Sequence, residues 1–185
     1  MRQDRTGHKN PAAKIGQDTK MTFYRTWGLA LILSVMGAAV TAADSRGAVT
    51  NLPIPRYVSM KASEGNVRRG PSLTHRIDWV YKRRDMPLIV TAEHGHWRRV
   101  EDRDGAGGWV HYSLLSGVRT VIVEQDMLQL KIRPDAASPV SAMLEFGVVA
   151  RLGDCDPSWC RITAGGYKGW APKQALWGVE PGEVR

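Results

Sequence analysis

Three groups of residues in the 185-residue chain carry side chains of the types that do chemistry. His94-Gly95-His96 with His111 is the one set that points to a metal, because three imidazoles are the donor set of a catalytic zinc site. Such a site needs the rings to converge. Gly95 and Trp97 mark a turn there, so surface histidines are expected, and no metal or other cofactor is assigned. Glu101, Asp102 and Asp104 offer carboxylates for acid–base work. They lie in a Gly-rich hairpin around Asp102-Arg103-Asp104-Gly105, where Asp serves turn chemistry. The sequence shows no Ser-His-Asp arrangement, phosphate-binding loop or carboxylate pair in a credible cleft, and catalysis is not expected. Cys155 and Cys160 flank Asp156-Pro157-Ser158-Trp159, a turn-forming stretch that folds back as a hairpin. The spacing is not the two-residue one of thioredoxin-like sites and no nearby His completes a zinc set, so a disulfide is the expected state in an oxidising compartment.

That compartment is set by the first part of the chain. Met21-Thr22-Phe23-Tyr24-Arg25-Thr26 precedes an uncharged run over residues 27–40, followed by Thr41-Ala42-Ala43. A basic start, an apolar middle and a small-residue end make a secretory signal, with cleavage expected after Ala42 or Ala43. The run is about fourteen residues, shorter than the roughly twenty of a membrane span. A membrane association is expected only if this segment stays uncleaved. The polar residues before Met21 are either a long basic region or lie ahead of a true start at Met21. Export makes the destination periplasmic or secreted.

Charge excludes a class of partner. The chain is +8 overall, but residues 1–42 hold six of the basic and two of the acidic residues, leaving only +4 for the remainder. That is an ordinary solvated surface, and no nucleic-acid partner is expected. The scattered pairs Arg83-Arg84 and Arg98-Arg99 read as solvated edge-strand protection. Seven Trp and nineteen Gly against two Phe suit short, sharply turned strands around aromatic anchors.

The strands come in two sets. Asn66-Val67-Arg68-Arg69-Gly70-Pro71-Ser72, Trp97-Arg98-Arg99-Val100, Gly108-Trp109-Val110 and Leu114-Leu115 are followed by a second series. It runs Leu130-Lys131-Ile132-Arg133-Pro134-Asp135, Trp159-Cys160-Arg161-Ile162, Gly169-Trp170-Ala171 and Ala175-Leu176. Arg68 to Arg133 is 65 residues, Trp97 to Trp159 is 62 and Trp109 to Trp170 is 61, the mark of a duplication. Turn signals every eight to twelve residues, with no sustained helical period, give each copy the content of a small, partly open barrel. The expected organisation is a polar extension and signal over 1–42 and a linker over 43–55, in which Asn51-Leu52-Pro53-Ile54-Pro55 reads as extended and solvated. A first barrel over 56–117, a second over 118–179 and a tail over 180–185 follow.

The order Asn-Val-Arg-x-Gly-Pro-Ser, Trp-Arg-x-Val, Gly-Trp-Val and Leu-Leu resembles the bacterial Src-homology-3-like (SH3-like) domain. The chain is similar to the exported tandem proteins of alphaproteobacteria, whose second repeat carries the Cys pair and ends as Trp177-Gly178-Val179-Glu180-Pro181-Gly182-Glu183 does. The resemblance implies an all-β fold of two tandem SH3-like barrels and brings no substrate with it. The second repeat lacks Asn-Val-Arg-x-Gly-Pro, so a function tied to that motif belongs more safely to the first.

The expected ligand contacts are Asn66, Arg68, Trp79, Tyr81, Trp97, Trp109 and Tyr112, an aromatic groove beside a donor-rich loop. The competing and favoured role for Asn66 and Arg68 is to hydrogen-bond that loop onto the barrel, and for each Trp to pack in or beside the core. The leading expectation is a non-catalytic binding module for a peptide or peptidoglycan stem peptide. A small cell-wall hydrolase and a structural partner of another envelope protein are the alternatives.

Overall fold

The computed structural model describes residues 45–185; the leader and its cleavage site lie outside the described residues. Among the described residues, strand alternation and frequent turns produce fourteen short strands. The first seven are β1 (Arg56–Met60), β2 (Gly65–Arg68), β3 (Ile77–Tyr81), β4 (Pro87–His94), β5 (Trp97–Glu101), β6 (Gly107–His111) and β7 (Leu115–Ser116). They form one antiparallel sheet in the order β3-β2-β6-β5-β4-β1-β7. The second seven are β8 (Thr120–Val123), β9 (Leu128–Lys131), β10 (Val140–Leu144), β11 (Val149–Cys155), β12 (Trp159–Ala164), β13 (Tyr167–Pro172) and β14 (Leu176–Trp177). Their order, β10-β9-β13-β12-β11-β8-β14, repeats the first strand for strand.

The duplication extends to the cores. Val58, Met60, Val67, Tyr81, Leu88, Val90, Val100 and Val110 fill the first barrel. Val121, Val123, Leu130, Leu144, Ala150, Leu152, Ile162 and Ala171 stand at the matching positions of the second. Register corrects one landmark. Arg68 pairs with Trp109, and it is Lys131, not Arg133, that pairs with Trp170. The offset is therefore 63 residues there, and Arg133 falls in the turn after β9. The Arg-Pro dipeptide at 133–134 mimics the first motif in letters, while barrel closure fixes the equivalence.

The two barrels pack together. All four residues of β8 are buried. Val121 and Val123 point into their own core, so Thr120 and Ile122 occupy the opposite face. Thr120 Oγ1 donates to Asp85 O of the first barrel at 2.7 Å. Tyr57 of β1 meets Trp177 of β14 edge-to-face at 5.4 Å, and the Arg119 guanidinium lies 5.2 Å over the Tyr57 ring. Burial raises the Tyr57 hydroxyl pKa, with Glu180 adding to the shift. Arg103 reaches Glu124 at 3.7 Å and covers the Phe146 ring at 4.7 Å.

Residues 45–55 differ from the expected solvated linker. Gly47 N donates to Leu52 O and Ile54 N to Ser45 O, making a turn that docks on the barrel. The clasp is Glu93, whose side chain has no exposed surface. Its carboxylate accepts from Val49 N, Thr50 N, Thr50 Oγ1 and Arg56 Nη2. Arg98 completes the set with Nε 3.4 Å from Glu93 Oε1. Arg98 is itself buried, donating to Gly95 O and Trp97 O, which corrects its reading as solvated edge protection. Burial alone would raise the Glu93 pKa, but the donors from Thr50, Arg56 and Val49 outweigh it and hold the carboxyl at about 2.

Cys155 and Cys160 form the disulfide across β11 and β12, with Cα atoms 4.1 Å apart and both residues in the second core.

Two outcomes follow from these contacts. Glu93→Gln should destabilise the protein by about 2 kcal/mol, the scale of lost hydrogen bonds to a charged group. Because the folded pKa is depressed, the difference from wild type should be full above pH 5 and shrink as pH falls from 4.5 towards 2; urea unfolding across that range measures it. Replacing both cysteines by Ser should cost about 2 kcal/mol through the small loop that is opened, read as a shift in the same denaturation midpoint.

Candidate functional site

The site is built where β6 crosses β2. Strand alternation sends Val67, Val100 and Val110 into the core, so Asn66, Arg68, Trp97, Trp109 and His111 face outward. A Cβ added at Gly108 would sit 2.8 Å from both Arg68 O and Val67 Cγ1, so only glycine lets β6 approach β2 this closely. The crossing brings Trp97 and His111 opposite one another. Their rings meet edge-to-face at 5.5 Å.

Around this pair lies an open groove of about 650 Å³, walled by Pro71, Leu73, His96, Trp97, His111 and Leu114. A smaller recess of about 90 Å³ continues it to Asn66 and Arg68. The walls are mostly apolar, and none of the lining residues is an Asp or Glu. Two side chains hold the shape. Arg68 Nη1 donates to Leu73 O at 2.9 Å and His75 O at 2.7 Å, tying the loop after β2 to the barrel. His111 Nδ1 lies 2.7 Å from Ser113 Oγ and accepts from Ser113 N, capping the short 3-10 turn Tyr112–Leu114.

Of the seven contacts expected from the sequence, Asn66, Arg68 and Trp97 line this groove. Arg68 also performs the loop-holding role. Trp79 and Tyr81 stand apart on β3, their rings 6.5 Å from one another. Tyr81 belongs to the core and donates its hydroxyl to Ala106 O; burial raises its pKa to about 12. Trp109 lies beside Arg68 and Arg99 in register without lining the groove. Tyr112 is half exposed, 5.0 Å from His111 and 5.6 Å from His96, and walls a neighbouring hollow under the 45–55 turn.

His96, His111, Leu73 and Leu114 are groove residues outside that set. His111 was legible as the residue two after Trp109 on the same strand face. His96 was not, since its position depends on the turn at Gly95, where φ is +50°. Among the described residues no three His, Cys, Asp or Glu side chains group as a metal site. Asp102 Oδ1 accepts from Asp104 N and Ala106 N, the turn role expected of it.

The family model described as bacterial SH3 domain matches residues 61–117 and, a second time, 124–178. The two matches begin just after β1 and β8, strands that each sheet needs between its fifth and seventh positions. No curated protein matches the chain. Among solved structures, NlpC1 from Trichomonas vaginalis is similar at 12% identity and a TM-score of 0.33, over 78% of this chain and 50% of that one. NlpC2 from the same organism is similar at 13% identity and 0.32, over 66% and 48%. The chain spans about half the length of these proteins.

Arg68→Ala should lower stability by about 1 kcal/mol, since the carbonyls it releases can turn to water. Amide exchange over residues 69–76 should quicken, while Arg99→Ala leaves it unchanged; hydrogen-exchange mass spectrometry separates the two.

Proposed function

The chain belongs to the bacterial SH3 domain family, through both of its barrels, and from that premise we propose that it is a non-catalytic binding module of the cell envelope whose first-barrel groove takes a peptide, in particular a peptidoglycan stem peptide. Domains of this family are binding modules. The observation that carries the reading is Trp97, half-buried on the wall of an apolar groove that holds the Arg68 cation and no carboxylate. An indole face packs against an extended backbone at low entropy cost, and a cation without a local counter-charge selects acidic ligands. Stem peptides supply both an extended backbone and free carboxylates.

Location is supported by the leader pattern ending at Ala43 and by the Cys155–Cys160 disulfide, a bond that persists in oxidising compartments. The non-catalytic reading is supported by the use of the chain. Both repeats are spent on the two sheets, and Asp102 is committed to its turn. A protein partner is a second reading. It is favoured by the edge strand β3, which exposes Ile77, Trp79 and Val80 by 36–41%.

The protein should sediment with insoluble purified peptidoglycan. Trp97→Ala should weaken retention about tenfold or more, the scale of a central aromatic contact, in a variant shown to be folded by its thermal transition. Trp79→Ala should bind as wild type. The opposite pattern would move the contact to β3, absence of retention would remove the peptidoglycan reading, and release of soluble fragments would make the protein an enzyme.

A further inference from the structure

The second barrel repeats the groove. Gln129, Lys131, Trp159 and Pro172 occupy the strand positions of Asn66, Arg68, Trp97 and His111, as the pairs Lys131–Trp170 and Trp159–Pro172 fix. They wall an open groove of about 300 Å³, with Met127 and Ala136 on its other side. An amide, a cation and an indole thus recur in the same places. We propose that this groove is a second binding site for the same class of ligand, an extended peptide segment bearing a carboxylate, and that the two sites act together on one cross-linked polymer. This rests on the reading of the first groove.

Three observations carry it. The first is charge. Lys131 is the one charged residue of the lining, its ammonium 3.0 Å from Gln129 Oε1 at the surface. The carboxylates that neighbour the lining in sequence are engaged by other groups: Asp156 Oδ1 accepts from Ser158 N and Trp159 N, Asp135 Oδ1 from Ala137 N and Asp126 Oδ1 from Phe146 N, while Glu124 pairs with Arg103. The second is rigidity. Trp159 is pinned through its backbone to Asp156 at 2.7 Å and adjoins the Cys160 end of the disulfide, so little order is lost on binding. The third is the join between the barrels. Thr120 on Asp85, Tyr57 on Trp177 and Arg103 on Glu124 hold the two grooves in one fixed relation.

The grooves are not copies in size. Ala136 stands where the first has Leu73, and Pro172 where it has His111, and the second groove holds about 300 Å³ against about 650 Å³ and no imidazole. Two sites of unequal strength on one rigid body bind a repeating polymer by avidity, because the second contact forms at high effective concentration once the first is made.

Calorimetric titration of the full protein with the soluble stem tetrapeptide tests this, alongside sedimentation with intact cross-linked peptidoglycan. Two peptides per chain are expected for wild type, and one for Trp159→Ala. Lys131→Glu, which alters no core residue, gives the same reading independently if the tryptophan variant fails to fold. On insoluble peptidoglycan either variant should be retained about tenfold or more weakly than wild type. One peptide per chain in wild type, with Lys131→Glu titrating and sedimenting unchanged, overturns the second site and leaves the first-groove reading standing. No binding of peptide or polymer by wild type removes both.

Discussion

Each barrel depends on one close crossing. At Gly108 the backbone of β6 passes so near Arg68 O and Val67 that no side chain fits, and Gly169 does the same against Leu130 and Lys131. Without this approach the hairpin of β5 and β6 would not close on β2, and the core strands would splay. The same crossing generates the groove. It lays the outward residues of β2 beside those of β5 and β6, so that Asn66 and Arg68 meet Trp97 and His111. Core closure and groove formation are two faces of a single steric fact, which is why the Gly-Trp pair recurs in both repeats.

The duplicated halves have diverged most where one position had to be secured twice. Glu93 pairs with Arg98 across β4 and β5, and Cys155 pairs with Cys160 at the corresponding place across β11 and β12. One barrel closes its hairpin end with a buried ion pair, the other with a covalent bond. The ion pair is strong only because five donors surround the carboxylate; an unpaired buried charge there would be costly. Three of those donors come from residues 49 and 50, so the first barrel recruits the chain that precedes it. The second recruits the chain that follows. Arg119, the counterpart of Arg56, bonds Glu183 and Gly178 O, and Cys155 exchanges backbone hydrogen bonds with Arg185.

What was legible in the sequence is what local rules control. Alternation and turn residues marked the strands, the repeat marked the two barrels, and the Asp156–Trp159 turn marked the disulfide. Arg68 and Trp97 could be singled out because motif position alone brings them to the groove. The rest depends on partners distant in sequence. Nothing in Leu52-Pro53-Ile54-Pro55 announces that Glu93, some forty residues on, holds the preceding turn. Arg98 reads as a surface cation until its carboxylate is located. Arg133 looks like the repeat of Arg68 because letters were matched, whereas the β9–β13 pairing selects Lys131. Trp79 and Tyr81 share a strand with strong aromatic character, but β3 lies at the sheet edge on the far side of β2 from Trp97.

The short connection at Gly117-Val118 resembles a hinge, and the contacts between the barrels oppose its use as one. β1 and β8 are the strands that each turn a second face outward, carrying Tyr57 and Ser59 on one side and Thr120 and Ile122 on the other. Ser59, Thr120 and Ile122 are buried and Tyr57 is half-buried, so swinging the barrels apart would expose apolar surface and give up the Thr120–Asp85 hydrogen bond to water. A small barrel of this size buries too little to be robust alone. Packing two together gives each a larger buried area than its own core supplies. Stability of the fold and fixed presentation of the two grooves are therefore gained from the same contacts, and a change that loosened the interface would weaken both.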